Sequence, residues 1–191
     1  MKVIKAKTAG FCFGVKRAVD TVYKQVDTKC GQIYTYGPII HNEEVIKDMR
    51  DKGVIVLRSE EDLDMISQGT VIIRSHGVEK RIYEKIEQKG LRIVDATCPF
   101  VKKIHNIVSE KSGEGFHIII IGNPEHPEVV GIKGWAKDNV TVIQSAEDAE
   151  CFTADRKEKI CIVSQTTFNY NKFKDLVEII KKKSYAVSAG N

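Results

Sequence analysis

The sequence lacks the features that mark membrane, secreted and disulfide-bonded proteins. No run approaches the ~18 consecutive apolar residues of a membrane span, and the first residues show no signal-peptide pattern. The five cysteines are odd in number and include no Cys-x-x-Cys, which argues against a disulfide framework, a zinc ribbon and a thioredoxin-type dithiol. We therefore expect a cytoplasmic protein that neither spans a membrane nor depends on disulfides.

The net charge says little about the binding partners of the protein. A formal net charge of +4 is mild for 191 residues. It would suit an anionic substrate but does not by itself indicate nucleic acid. The lysine run at positions 181–183 is typical of the solvated end of a helix. We expect no nucleic-acid partner.

The most informative feature that is present is an internal repeat with an offset of about 86 residues. Residues 10–18 (GFCFGVKRA) are echoed by residues 96–104 (ATCPFVKKI). This correspondence places Cys12 and Cys98 86 positions apart. A repeat is read first because it determines the architecture.

The repeat continues beyond the cysteines. His41 and His126 follow them in similar Gly/Pro-rich settings and lie 85 positions apart. Residues 56–62 (VLRSEED) are echoed 86 positions later by residues 142–148 (VIQSAED). We infer two similar units that each bring one thiol and one imidazole to a shared place.

Short apolar strands alternate with amphipathic helices along both units. This order, with continuous Val/Ile runs, predicts an α/β fold with mostly parallel sheets. We expect two pseudo-repeated units, residues 1–95 and 96–191, each a small sheet flanked by helices. The predicted strands are residues 32–36, 54–57, 71–74, 91–94, 117–121, 140–143 and 160–163. The predicted helices are residues 15–26, 43–52, 80–89, 100–111, 128–136 and 170–182.

Polar side chains follow the predicted strands, where parallel sheets bind ligands. They are His41, His76, His126, Thr166 and Thr167. Any one of these histidines alone would more often be a core residue with satisfied hydrogen bonds. Three at equivalent strand ends, two of them in repeated motifs, predict a polar site suited to a phosphate or diphosphate.

Three further titratable residues have simpler or alternative interpretations. His105 and His117 have no echo, and we predict structural roles for both. Glu128 stands two residues after His126. In a partly dry pocket its carboxyl group could have a raised pKa and donate protons. The alternative is a charge in the first turn of a helix, favoured by the helix dipole.

Cys12 and Cys98 each precede a predicted helix. The positive end of a helix favours the thiolate, which is the form that binds soft metals and iron–sulfur clusters. Either cysteine alone would most simply be inert and buried, but the duplicated context favours a ligand pair. Cys161 lies within an apolar run and is predicted to be a small buried hydrophobe.

Taken together, these segments resemble the (E)-4-hydroxy-3-methylbut-2-enyl diphosphate reductase family of the methylerythritol phosphate route to isoprenoids. The resemblance spans nearly the whole chain, and six motifs occur in order. They are residues 10–15 (GFCFGV), 37–42 (GPIIHN), 74–77 (RSHG), 95–99 (DATCP), 126–129 (HPEV) and 165–167 (QTT).

The resemblance implies an oxidoreductase built around a 4Fe-4S cluster held by three cysteines. Cys12 and Cys98 would be two of the cluster ligands. The substrate diphosphate would be held by His41, His76, His126 and the threonines Thr166 and Thr167.

The resemblance also implies the catalytic chemistry. Glu128 and Thr166 would hydrogen-bond the allylic hydroxyl, with Glu128 supplying protons and His126 beside them. Two electrons from a ferredoxin or flavodoxin-type donor would expel water and give isopentenyl and dimethylallyl diphosphate.

The chain departs from the family pattern in one respect. Family members have three similar units, and the third cysteine belongs to the third unit, whereas here no cysteine follows Cys161. The expectation is therefore a chain that lacks the third unit and exposes an apolar edge, which would favour self-association.

Two alternatives to an active reductase remain open. One is a catalytically inactive module of the same family that binds a diphosphate or acts as a partner. The other is a zinc protein that uses Cys12, Cys98 and a histidine.

Overall fold

The computed structural model describes residues 3–4, 9–28, 31–155, 158–183 and 186–189. The strand-like segment at residues 1–5 lies mostly outside this described part. The chain forms two compact units. Unit 1 contains Met1–Ser75 and Lys89–Cys98, and unit 2 contains His76–Gln88 and Pro99–Asn191.

Unit 1 is built on a four-stranded sheet in which every pairing is parallel. Its strands are β1 (Ile33–Tyr36), β2 (Ile55–Leu57), β3 (Thr70–Ile73) and β4 (Arg92–Asp95). Their spatial order is β2-β1-β3-β4. In the central register, Thr35 is opposite Val56 on one side and Ile72 on the other. The carboxyl ends of all four strands therefore lie at one edge.

Three described helices belong to unit 1: α1 (Phe13–Thr28), α2 (Glu43–Asp51) and α3 (Glu60–Asp64). The buried face of α1 consists of Ala18, Val19 and Val22, which pack in one cluster with Ile33 and Ile72 of the sheet. A fully buried valine or isoleucine side chain contributes about 1.5–3 kcal/mol. This packing places the start of α1 beside the carboxyl edge of the sheet.

Unit 2 repeats the same topology. Its strands are β5 (His117–Ile121), β6 (Val140–Ile143), β7 (Lys159–Ser164) and β8 (Ala186–Ala189). Their order is β6-β5-β7-β8, again all parallel. The isoleucine run of β5 is buried on both faces: Ile119 and Ile121 join one apolar cluster, and Ile118 and Ile120 join another. This explains why the strand has no polar alternation.

Five described helices belong to unit 2. They are α4 (Lys80–Gln88), α5 (Pro99–Gly113), α6 (Pro127–Lys133), α7 (Ala146–Cys151) and α8 (Tyr170–Lys181). Helices α7 and α8 cover one face of the sheet through Ala149, Leu176 and Ile180. Helices α5 and α6 cover the other through Ile104, Val108 and Ile132. The predicted α/β architecture of two small parallel sheets flanked by helices is confirmed.

The compact units differ from the sequence-based division at one helix. The division into residues 1–95 and 96–191, which stays a prediction, counts α4 with the first unit, whereas contacts group it with unit 2. The indole Nε1 of Trp135 donates a 2.9 Å hydrogen bond to the carbonyl oxygen of Val78. The ring of Tyr83 packs edge-on against the same indole at 5.7 Å. These contacts come from residues distant in sequence, which the repeat does not reveal.

Two short helices, α3 and α7, were not predicted. Each begins after a serine, Ser59 and Ser145, whose side chain accepts a hydrogen bond from the backbone N–H three residues later. At α7 the Asp148 carboxylate reciprocates by accepting from the N–H of Ser145, forming a capping box. The echoed Ser-x-x-Asp was the available signal. Within the described residues, no helix is long and apolar enough to cross a membrane.

Candidate functional sites

Unit 1 brings both motif cysteines to the start of one helix. Cys12 immediately precedes α1, and its carbonyl oxygen accepts a 2.9 Å hydrogen bond from the N–H of Lys16. Cys98 follows β4 and is the last residue of unit 1. Both thiols are free. In the division by contacts both cysteines belong to unit 1, whereas the sequence-based division places Cys98 in the second unit. That each repeated unit supplies one thiol stays a prediction.

The Cys98 side chain lies against Gly14 in the first turn of α1. A Cβ atom built on Gly14 would lie 2.7 Å from the Sγ atom of Cys98 and 3.2 Å from its Cβ atom. The Cys98 sulfur thus rests against the first turn of α1, two residues beyond Cys12. Two thiols at one helix start form a donor set suited to a soft metal or an iron–sulfur cluster.

The loop that carries Cys98 is fixed by hydrogen bonds on both sides. The N–H of Cys98 donates to the carbonyl oxygen of Ser75 at 2.9 Å. Arg17 on α1 donates to the carbonyl oxygens of Thr97 and Asp95, at 2.8 and 3.2 Å. The N–H of Thr97 donates to Oδ1 of Asp95 at 2.9 Å. Sequence reasoning gave Arg17 and Gly14 no role, although both lie within the repeated motif.

His41 lies in unit 1, in the loop that joins β1 to α2, and is exposed. Its neighbour Asn42 caps α2: the side-chain Oδ1 accepts from the N–H of Val45 at 3.0 Å. The cap fixes the backbone next to the imidazole while leaving the ring at the surface. Its predicted place after β1 is confirmed.

His76 and His126 lie together in unit 2. Their ring centroids are 5.6 Å apart and the rings are nearly perpendicular. Nδ1 of His126 accepts a 3.1 Å hydrogen bond from the N–H of Glu128 and caps α6. Because Nδ1 is the acceptor, the neutral ring carries its proton on Nε2. That nitrogen is a donor of the kind that binds phosphate oxygens.

Glu128 is a buried carboxyl group held by one residue. Glu128 is only 2% exposed. Oε1 accepts from the N–H of Thr166 at 2.6 Å, and Oε2 accepts from the Thr166 hydroxyl at 2.9 Å. Burial raises the pKa of Glu128, although the two hydrogen bonds from Thr166 oppose this. A raised pKa favours the protonated form over a wider pH range than in an exposed glutamate, which is the direction that a partly dry pocket predicts.

Gln165 organises the loop that follows β7. Its Nε2 donates to the Thr167 hydroxyl at 2.8 Å, and its Oε1 accepts from the N–H of Asn123 at 3.3 Å. A Cβ atom on Gly122 would lie 3.0 Å from the Gln165 side chain, so the glycine makes room for it. The sequence places Gln165 only within a motif and does not reveal that it links these two loops.

A cleft of about 500 Å³ opens beside Thr166 in unit 2. Its walls include the aromatic residues Phe100, Phe168 and Phe173. Such a concave, mostly apolar surface with a few polar groups is typical of small-molecule sites. The Glu128–Thr166 pair is therefore beside space that a ligand can occupy.

The residues given structural interpretations behave accordingly. His105 is 2% exposed and stacks on Trp135 at 5.0 Å. His117 is within hydrogen-bonding distance of Glu158, at 3.1 Å, and of the Thr141 hydroxyl, at 2.8 Å. Cys161 is 1% exposed, and burial raises the pKa of its thiol. The predicted burial of Cys161 is confirmed. The contacts of His105 and His117 agree with structural roles, which stay predictions.

Comparison with known families identifies the group to which these features belong. Residues 3–191 match the family model described as LytB protein. The 4-hydroxy-3-methylbut-2-enyl diphosphate reductase of Caldanaerobacter subterraneus subsp. tengcongensis is 45% identical over 185 residues. The protein of the same name from Thermoanaerobacter sp. strain X514 is 48% identical over 185 residues. The alignments cover 96% of this chain but only 64% and 63% of those relatives.

Solved structures show the same relation. The E-1-hydroxy-2-methyl-but-2-enyl-4-diphosphate reductase of Plasmodium falciparum superposes with a TM-score of 0.89 at 30% identity, covering 96% of this chain and 57% of that one. A structure described as (E)-4-hydroxy-3-methyl-but-2-enyl diphosphate reductase, the terminal enzyme of the non-mevalonate pathway, gives a TM-score of 0.82 at 37% identity. The superposition covers 99% of this chain and 66% of the chain in that structure.

Proposed function

Because the chain belongs to the LytB family, we propose that it serves the reductive dehydroxylation of 4-hydroxy-3-methylbut-2-enyl diphosphate. In this reaction the allylic C–O bond breaks, two electrons and two protons enter, and water leaves with isopentenyl or dimethylallyl diphosphate as product. The observation that carries the proposal is the buried Glu128 carboxyl group, bound through both oxygens by Thr166 beside an open cleft.

A 4Fe-4S cluster is the cofactor that this chemistry requires, and the donor set in unit 1 fits it. Cys12 and Cys98 offer two free thiols at the start of α1, and Gly14 leaves room for the second sulfur. They would be two of the three cysteine ligands implied by the family. When bound, the cluster supplies electrons and a Lewis-acidic iron.

Glu128 holds the proton in this proposal. Its raised pKa keeps the carboxyl group protonated closer to neutral pH than an exposed glutamate. Thr166 orients it, because two hydrogen bonds to one residue fix both carboxyl oxygens. The Thr166 hydroxyl is also placed to contact the hydroxyl of a substrate in the adjoining cleft.

The imidazoles bind the diphosphate. In unit 2, His126 presents Nε2 as a donor because its Nδ1 is used in capping α6. His76 lies beside it, and Thr167 contributes a hydroxyl in the same loop as Thr166. In unit 1, the exposed His41 serves the same purpose. Hydrogen bonds to charged oxygens are shorter and stronger than neutral ones, which favours an anionic ligand.

The electrons come from a ferredoxin or flavodoxin-type protein in the cytoplasm.

Exposed aromatic residues of unit 2, Phe100 and Tyr170, are 68% and 61% accessible. Both residues also line the cleft beside Thr166, so self-association through this apolar surface would cover the cleft. Light scattering across a concentration series tests for self-association directly.

The second candidate function is diphosphate binding without turnover. The chain spans about 64% of the length of the curated relatives it matches. The polar loops of unit 2 do not need the cluster in order to bind an anion. A protein that binds pyrophosphate but acquires no cluster would fit this alternative.

Anaerobic reconstitution with iron and sulfide tests the proposal. The wild-type chain should develop broad absorption near ~400 nm with stoichiometric sulfide, and should then reduce the allylic diphosphate with a chemical reductant. Cys12→Ser should lose cluster loading, whereas Cys151→Ser, at an exposed free cysteine of unit 2, should not. Uptake of zinc without sulfide would instead support a zinc protein.

A further inference from the structure

We propose that Gly14 is a positioning residue whose missing side chain forms the seat for the Cys98 sulfur. The purpose of the seat, to hold a second ligand beside Cys12, rests on the proposed function. The seat itself concerns only the polypeptide and can be measured in the metal-free chain.

The steric evidence is direct. A Cβ atom on Gly14 would approach the Cys98 Sγ atom to 2.7 Å, a distance below the 3.0 Å that real Cβ atoms respect. Gly14 is helical and is not among the described glycines with positive φ. An alanine could therefore adopt its backbone conformation. The glycine is required for space rather than for conformational freedom.

The internal repeat supplies an independent observation. The position equivalent to Gly14, 86 residues later, is Phe100, which is 68% exposed. The same helix-start motif thus accepts a large aromatic side chain in its second copy. The motif alone does not demand glycine, so the requirement in the first copy arises from the sulfur that packs there.

Cys98 cannot easily withdraw from the seat. Its backbone N–H is bonded to Ser75, and the preceding carbonyl group is bonded to Arg17. Because the backbone is held on both sides, an added methyl group on residue 14 would be relieved mainly by rotating the Cys98 side chain. Rotation would turn the sulfur away from the helix start that follows Cys12 and separate the two thiols.

The test compares Gly14→Ala with Gly113→Ala, a helical glycine whose Cβ position is empty. In the metal-free chain, alkylation of Cys98 by iodoacetamide is followed by mass spectrometry, with Cys151 as internal reference. Gly14→Ala should change the Cys98 rate by about threefold or more, since thiol reactivity follows its exposure and surroundings. Gly113→Ala should change neither rate. Cluster loading should fall in Gly14→Ala alone.

A double-mutant cycle shows whether the sulfur is the cause. Alanine is more favourable than glycine in a helix, and Cys98→Ala removes the 2.7 Å approach to Sγ while keeping the 3.2 Å approach to the residue-98 Cβ atom. Gly14→Ala should therefore lower the melting temperature markedly with Cys98 present and much less in the Cys98→Ala background. A Gly14→Ala variant that folds only when Cys98→Ala is added would also support the seat.

Several results would overturn the proposal. These are the same shift in melting temperature in both backgrounds, an unchanged Cys98 alkylation rate, or failure of the double variant to fold. If the cycle behaves as expected but the wild-type chain takes up no iron and sulfide, the seat stands and the proposed cofactor does not. The two ideas therefore fail separately.

Discussion

The guanidinium group of Arg17 donates a 2.8 Å hydrogen bond to the carbonyl oxygen of Thr97, a residue 80 positions later in the chain. Its second nitrogen reaches the carbonyl oxygen of Asp95 at 3.2 Å. One planar side chain thus joins α1, which begins after Cys12, to the loop that ends in Cys98. Arginine suits this task because its donors are held in a rigid fork.

Replacing Arg17 should loosen the Cys98 loop. Arg17→Met keeps much of the aliphatic packing but removes both hydrogen bonds from a charged donor, each worth about 1.5–3 kcal/mol. Chemical denaturation should show a loss of at least about 1.5–3 kcal/mol, the value of one such bond, and Cys98 should be alkylated faster. The stability and the Cys98 alkylation rate of Arg17→Lys should lie between those of wild type and Arg17→Met, because an ammonium group cannot bind both carbonyl oxygens in the same way. Lys16→Met, on the exposed neighbouring position, is the control and should change little.

The pH dependence of stability should reveal the buried Glu128. Burial raises its pKa above the ordinary 4.5, so the folded state favours the protonated form. The protonated Glu128 therefore contributes to the free energy of unfolding. This contribution is fully present below pH 4.5 and is lost as the pH rises through the folded-state pKa. Glu128→Gln should therefore melt at a higher temperature than wild type at neutral pH, and the difference should vanish in acid.

The Glu128→Gln variant should also lose the ability to deliver a proton. Turnover of the reconstituted protein should fall by about 10²- to 10⁴-fold, the usual contribution of a positioned acid. Glu125→Gln, at an exposed glutamate of the loop that precedes α6, is the control for both measurements. A Glu128→Gln melting temperature that tracks wild type at every pH would contradict the assignment.

The Thr166 hydroxyl should tune the acidity of Glu128. Thr166→Val removes the 2.9 Å hydrogen bond to Oε2 and keeps the backbone bond to Oε1. Because that hydroxyl bond lowers the pKa of Glu128, its loss should raise this pKa further. Carbon-detected NMR titration of the Glu128 carboxyl group measures the change. Thr166→Ser keeps the hydroxyl and should leave the titration near that of wild type.

Pyrophosphate binding tests the histidine assignment. His41→Ala should weaken binding by about tenfold, the equivalent of one charge-assisted hydrogen bond, as measured by isothermal titration. His117→Ala should lower the melting temperature, because it removes contacts with Glu158 and Thr141, but should leave pyrophosphate affinity unchanged. Equal affinity in His41→Ala and wild type would remove His41 from the site.

The strands and their mostly parallel arrangement could be predicted from the sequence for a simple physical reason. Strands buried on both faces contain unbroken Val/Ile runs, and residues 118–121 show this most clearly. The polar residues after the strands were found because parallel strands end at one edge. The capping helices α3 and α7 could also have been predicted from the serines at positions 59 and 145.

Other features depend on contacts that no local pattern encodes. The seat at Gly14 depends on a sulfur 84 positions away, and only the contrast with Phe100 in the second copy hints at it. The membership of α4 depends on Trp135 reaching Val78, 57 positions earlier. The roles of Gln165 and Arg17 likewise require the packed loops, since both act on backbone groups far along the chain.

The placement of α4 has a practical consequence for genetic dissection. If the gene were cut after codon 95, the upstream fragment would contain α4 but not the Trp135 region that α4 contacts. Ile82 and Ile86, which are buried in the intact protein, would then lack their partners. The downstream fragment would miss a helix that completes it. Because both flanks of residues 76–88 belong to unit 1, no single cut separates the units cleanly. Shuffling one unit between homologous genes would have to transplant two stretches at once.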